Sequence, residues 1–179
     1  MNKQSLIFLL LNLIGGSAVL GSYAHGLLKN TELRSELWGA VPDHIRPYYT
    51  ICMFLAAIGY FFFTGYIIKY VSFDTTQIFG CYNFTIINLL YAGFLIPSAL
   101  WISMTFAMIS NPSILLWIGI RIILFTVGFS SIGLFLAFFF SNFEKSSWLF
   151  YAGIAGLIPF SIQTMILDAI VWPYYFPMK

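Results

Sequence analysis

Few residues in this chain have the type and spacing to do chemistry. Arg121 and Asp168 stand inside stretches that are otherwise apolar, where an ionisable group is costly unless a partner receives it, so each is a candidate functional group. Counting a helical rise of ~1.5 Å per residue puts Arg121 about two turns into its segment and Asp168 about one turn inside its own. The two then lie within ~6 Å of each other in depth, and the spacing predicts an ion pair. Two roles are open to the pair: a clamp between helices with Arg121 snorkelling to the headgroups, or a ligand-facing group.

His25 falls near the same depth and reads as an interfacial hydrogen-bonding residue. His44 is the only other histidine, so zinc or haem iron lacks convergent ligands and no metal site is assigned. Asn12 and Asn88, both about two turns from the same end of their segments, are placed to hydrogen-bond across helices, a contact worth about 0.6 to 2 kcal/mol. Gln163, near the middle of the last segment, either lines a cavity or caps a carbonyl freed by Pro159. Cys52 and Cys81 have no CxxC spacing and make neither a disulfide framework nor a metal knuckle. Asn83-Phe84-Thr85 spells a glycosylation sequon, but at the start of an apolar segment rather than in an exposed loop. No GxSxG, HExxH or P-loop pattern occurs, so no catalytic residue is assigned and a non-enzymatic role is expected.

The elements that must position these residues follow from composition. Of 179 residues, 60% are hydrophobic and 20% aromatic against 8% charged, too few charges to cover a soluble globule and too little polarity for disorder. Five segments are long enough to cross the ~30 Å hydrocarbon core as helices: Ser5 to Leu28, Tyr48 to Val71, Cys81 to Ile109, Ser113 to Phe140 and Ser147 to Trp172. Backbone amides in lipid must be satisfied within each segment, and strict alternation is absent, which selects helices over a barrel. The expected class is all-α, a single integral membrane domain of five transmembrane helices with one long connection, residues 29–47. A cleavable leader is the rival reading of the first segment, with Ser22-Tyr23-Ala24 as the small-x-small site.

Five spans put the chain's two ends on opposite sides of the bilayer. Lys29, Arg34, Arg46 and Lys179 fall on one side and Lys3, Lys69 and Lys145 on the other, which tips the C-terminal side toward the cytoplasm by the positive-inside rule. Tyr and Trp bracket the spans as interface anchors should. Ser17 with Gly21, and Ala152 with Gly156, have the small-xxx-small spacing that lets helices approach closely, and Pro97 and Pro159 should bend their helices. A net charge of +2 with no Lys/Arg run argues against nucleic-acid binding.

The long connection is the most distinctive stretch. From Leu37 to Thr50 it mixes two prolines, aromatics and charges, a composition that fits either a lid or an interfacial anchor built on Trp38 and Tyr48. Trp38, Pro47 and Tyr49-Thr50 here, Asn88, Tyr91 and Phe94 in the third segment, Leu167-Asp168-Ala169-Ile170-Val171-Trp172 in the fifth and Gly15-Gly16 in the first are similar to patterns of the TspO/translocator-protein family, the tryptophan-rich sensory proteins. The resemblance implies a five-helix membrane protein with an apolar pocket beneath the first loop for a porphyrin- or sterol-like ligand. Trp38, Asn88, Tyr91, Asp168 and Trp172 would be its matching positions.

Three functional readings follow. The first is a hydrophobic-ligand pocket closed by the loop around Trp38, with Arg121 and His25 near its polar end. The second is a scaffold or accessory subunit that docks a partner membrane protein or a second copy of itself. The third is a small transporter with Arg121 and Asp168 on a polar path.

Overall fold

The computed structural model describes residues 2–176 and contains five helices long and apolar enough to cross a membrane, with mean hydropathy of 1.7 to 2.3 over their most apolar windows. They are α1 (Lys3–Lys29), α2 (Arg46–Tyr70), α3 (Thr85–Ser110), α4 (Ile114–Phe139) and α5 (Trp148–Tyr175). The chain is thus an all-α bundle of the multi-pass membrane class.

Local chemistry sets the helix ends. Asn2 caps α1 by accepting from the Gln4 amide at 2.9 Å, and Ser147 caps α5 by accepting from the Leu149 amide at 3.2 Å. Pro47 stands in the first turn of α2, where its missing N–H costs nothing. The third apolar segment begins at Cys81 in sequence, but its helix begins at Thr85, because Asn83 Oδ1 accepts from the Thr85 amide at 3.0 Å and residues 81–84 are consumed in a turn.

We call the end of the bundle holding Asn2 the A end and the other the B end. Going around, α1 packs on α3, α3 on α4, α4 on α5 and α5 on α2. The α2–α5 contact is closest at Gly59 and Gly156, where a methyl group built on either would overlap the backbone of the other, so only glycine fits on both sides. This bears out the packing role of Gly156. Ser17 and Gly21, by contrast, face outward with nothing beside Gly21. The ring is open between α1 and α2: Tyr60 Oη donates to Asn12 Oδ1 at 2.6 Å in the A half, and among the described residues no hydrogen bond or ring contact joins these helices in the B half. Helix α1 is peripheral, with 6% of its apolar window buried against 22% to 44% in the others.

The interior divides in two. Toward the A end, Phe8, Phe63, Tyr66, Tyr91, Phe138 and Phe150 form an aromatic core, with Phe8 and Tyr91 edge to face at 4.7 Å. Toward the B end, Val41, Tyr49, Met108, Ile120, Met165, Trp172 and Phe176 form a second core. The A-side loops are joined through isolated bridges of Ile78 to Tyr82 and Ser141. Lys179 lies outside the described residues; without it, three basic residues stand at each end, so the orientation expected from charge rests on that residue alone.

The prolines behave differently from each other. Helix α3 runs α-helical through Pro97, whereas three residues after Pro159 the backbone of α5 changes to a π-helix from Ile162 to Val171, a wide turn often found at functional sites. A shorter π-stretch, Leu11–Gly15, interrupts α1.

Candidate functional site

The π-helix of α5 decides what Asp168 can reach. At 3.6 residues per turn, positions five apart lie roughly 140° apart around a helix, but the i to i+5 repeat of a π-helix returns them to one face. Gln163 and Asp168 are therefore neighbours, and Gln163 Nε2 donates to Asp168 Oδ1 at 2.8 Å. It is the one hydrogen bond the carboxyl receives among the described residues.

This corrects the ion pair expected from depth. Arg121 does not meet Asp168; its guanidinium lies over the Phe125 ring on its own helix, 5.0 Å from the centroid. The face of α5 that meets α4 is occupied by Met165 against Gly128, and by Thr164, whose hydroxyl shares a 2.7 Å hydrogen bond with Ser131. Equal depth did not bring equal azimuth. The one ion pair among the described residues is Arg46 with Asp43 at 2.9 Å, within the B-end loop.

Around Asp168 the neighbouring helices place polar-tipped side chains. The phenols of Tyr23 (α1) and Tyr49 (α2) and the thiol of Cys52 (α2) are near enough to feel its charge. Tyr49 Oη donates to the Leu167 carbonyl at 2.9 Å and Cys52 Sγ to the Pro159 carbonyl at 3.4 Å, so α2 satisfies carbonyls in and before the wide turn. Trp101 of α3 stacks on Tyr23 at 5.8 Å and meets Trp172 of α5 at 5.7 Å. By helical rise at ~1.5 Å per residue these groups range from about 4 Å (Tyr49, Trp172) to about 18 Å (Gln163) from the B end. Three buried polar atoms here have no partner: Trp101 Nε1, Ser161 Oγ and Gln163 Oε1. Gln163 is 5% exposed, whereas Asp168 is only half-buried, so the carboxyl borders accessible space while its partner amide is enclosed. Unmet polar groups this deep are uncommon and expensive.

The other expected site residues separate. Asn88 and Tyr91 belong to the A half. Asn88 Nδ2 donates to Gln4 Oε1 at 2.7 Å rather than to Asn12, and the Tyr91 and Thr64 hydroxyls share a hydrogen bond at 2.9 Å. Asn12 instead bonds Tyr60 and the Phe8 carbonyl, so the Asn12–Asn88 contact is not made. His25 is exposed on the outside of α1, in a recess of about 250 Å³ with Lys29, Ser103 and Phe106, and not beside Asp168.

Trp38 and Trp172 do sit together at the B end, but they hold a strap rather than a lid. Trp172 Nε1 donates to the Leu37 carbonyl at 2.7 Å and the Ala40 amide to the Tyr175 carbonyl at 2.8 Å. Gly39, at φ +54, lets the chain turn down onto Tyr175 and Phe176. Trp38 lies edge-on to Tyr49 at 5.9 Å beneath the Arg46 guanidinium, and Val41 is wholly buried. The space expected under the loop is filled by these side chains. What remains is an open recess of about 270 Å³ beside Glu36, Met108 and Phe176, below the ~300 Å³ at which small-molecule pockets begin.

Tyr23, Cys52, Trp101 and Ser161 did not stand out in the sequence. The signal available was a Tyr and a Trp deep inside apolar segments, where Phe would pack as well without a polar tip. No group of three or more His, Cys, Asp or Glu side chains able to hold a metal occurs among the described residues. No protein-family model, curated protein or solved structure matches the chain. Fold and site define a five-span, all-α membrane bundle with an unsatisfied polar centre between its helices.

Proposed function

We propose that this membrane bundle binds a lipid-soluble ligand that enters between α1 and α2, lays an apolar body against Tyr23, Trp101 and Trp172, and presents one polar end to Gln163 and Asp168. The observation that carries this reading is the enclosed Gln163 amide, whose Oε1 lacks a donor among the described residues, beside a carboxyl that none of their cations pairs with. A ligand's polar end would supply the missing hydrogen bond, and its body would replace lipid against aromatic faces. Of the two ligand classes implied by the family resemblance, a sterol's hydroxyl supplies the hydrogen bond that Gln163 Oε1 lacks, though no charge to set against Asp168. The carboxylates of a porphyrin would meet Asp168 with like charge.

The test uses 1-pyrenebutanol, a flat apolar body with one hydroxyl. In phosphatidylcholine nanodiscs, its titration should give saturable energy transfer from tryptophan to pyrene, and Gln163→Leu should weaken the binding at least fivefold. Transfer that rises linearly with probe, or is unchanged in Gln163→Leu, rejects the site.

A second reading, a scaffold for a partner helix or a second copy, is favoured by the outer face of α1, where Leu13, Leu20 and Leu28 are 69% to 74% exposed. Cross-linking from a cysteine placed at Leu20 in native membranes would capture that partner, whereas lipid-only labelling would reject it.

A further inference from the structure

The site proposed above leaves the nature of the ligand's polar end open, and the balance of its atoms bears on that. Acceptors at the centre are Gln163 Oε1, which is unpartnered, and the Asp168 carboxyl, which receives one hydrogen bond. Among the described residues, the unpartnered donors are the Trp101 indole N–H and the Ser161 hydroxyl, and the hydroxyl can also accept. Among the described residues, the cations of the B half are engaged or directed elsewhere: Arg121 on Phe125, Arg46 on Asp43 and Trp38, Arg34 on the Leu27 carbonyl, and His25 and Lys29 in the recess on the outer surface of α1. The groups near enough to feel the charge of Asp168 are Tyr23 from α1 and Tyr49 and Cys52 from α2, none of them positively charged. The aromatic residues at this level, Tyr23, Trp101 and Trp172, present ring faces and edges to one another, and such faces attract cations.

We infer that the centre formed by Asp168, Gln163, Trp101 and Tyr23 selects an apolar ligand carrying a protonated amine. An ammonium group is the polar end that serves the acceptors and the charge together, while the Trp101 N–H is left to an acceptor other than the amine. It neutralises a carboxylate that is otherwise alone at membrane depth, donates N–H to Gln163 Oε1 and to the free lone pairs of Asp168, and rests against aromatic rings. A hydroxyl supplies a single donor, and an acceptor for the Trp101 N–H, but no charge to neutralise Asp168; a carboxylate supplies neither donor nor positive charge. The opening between α1 and α2 in the B half gives such an amphiphile a route from the bilayer, with its charged end travelling near the headgroups before turning inward.

This inference rests on the ligand-binding reading, and three probes with one body separate the two: 1-pyrenebutylamine, 1-pyrenebutanol and 1-pyrenebutanoate, titrated into the protein in uncharged phosphatidylcholine nanodiscs. The amine is expected to bind at least tenfold more tightly than the alcohol, and the carboxylate not measurably. In Asp168→Asn the amine's advantage should fall to within twofold while the alcohol still binds; Asp168→Glu should keep the advantage and serves should Asp168→Asn not fold. If none of the probes binds saturably, the ligand-binding reading itself fails. If the alcohol binds and the amine is no tighter, or if the amine's advantage survives in Asp168→Asn, only the charge selectivity is overturned.

Discussion

The A half and the B half of the bundle treat buried polarity in opposite ways. Toward the A end, nearly every interior polar group is answered: Tyr66 Oη donates to the Glu144 carbonyl at 2.7 Å, Tyr91 meets Thr64, Tyr60 meets Asn12, and Asn88 is held by Gln4 with only its Oδ1 unmet. From mid-membrane toward the B end, Ser161, Gln163 and Trp101 each leave an enclosed atom without a partner. A sequence selected only for stability would have closed those gaps with apolar residues, and local departures of this kind concentrate where a protein does its work. The contrast teaches that the A half is built to hold shape and the B half is left incomplete.

Four substitutions break or sharpen that contrast, in descending order of effect. Gly156→Val should prevent α2 and α5 from meeting, since its side chain collides with backbone rather than with a movable side chain; the expected outcome is loss of monodisperse protein on size-exclusion chromatography. Phe63→Ala, in the centre of the aromatic core, should destabilise by about 3 to 5 kcal/mol, read as a lowered thermal unfolding midpoint in detergent. Thr64→Val leaves the buried Tyr91 hydroxyl without its partner and should cost about 1 to 3 kcal/mol by the same measurement. The double change Gln163→Leu with Asp168→Leu should be neutral or stabilising by about 1 kcal/mol, because it removes a poorly satisfied polar pair. A loss as large as that of Thr64→Val would show that the B-half polarity is structural and would erase the contrast between halves.

The spans themselves were legible because twenty-odd consecutive apolar residues leave the backbone one option in lipid. Their ends were less so: the α3 start moved from Cys81 to Thr85 because a single Asn side chain chose the helix amide over solvent. Asp168 was recognised as out of place, yet its partner was misassigned, since depth follows from residue counting whereas azimuth depends on helical period. Pro159 was visible as a break, but nothing in the letters says that the register downstream of it widens over ten residues. Lid and anchor could not be told apart for the long connection, because its closure depends on Gly39 adopting a left-handed turn and on Val41 being buried, and both are outcomes of the long-range contact with Tyr175 and Phe176.

The glycine crossing of α2 and α5 also orders events during synthesis. Gly59 leaves the ribosome about a hundred residues before Gly156, an interval of roughly 5 to 20 s at ~5 to 20 residues per second. Through that interval the second span lacks its main packing partner, the fifth, and the helices already made offer it only lesser contacts such as those of Tyr60 with Asn12 and Thr64 with Tyr91. It must wait in the translocon or in lipid with a bare glycine notch, a nascent state that insertion factors or neighbouring chains can reach and the finished protein hides.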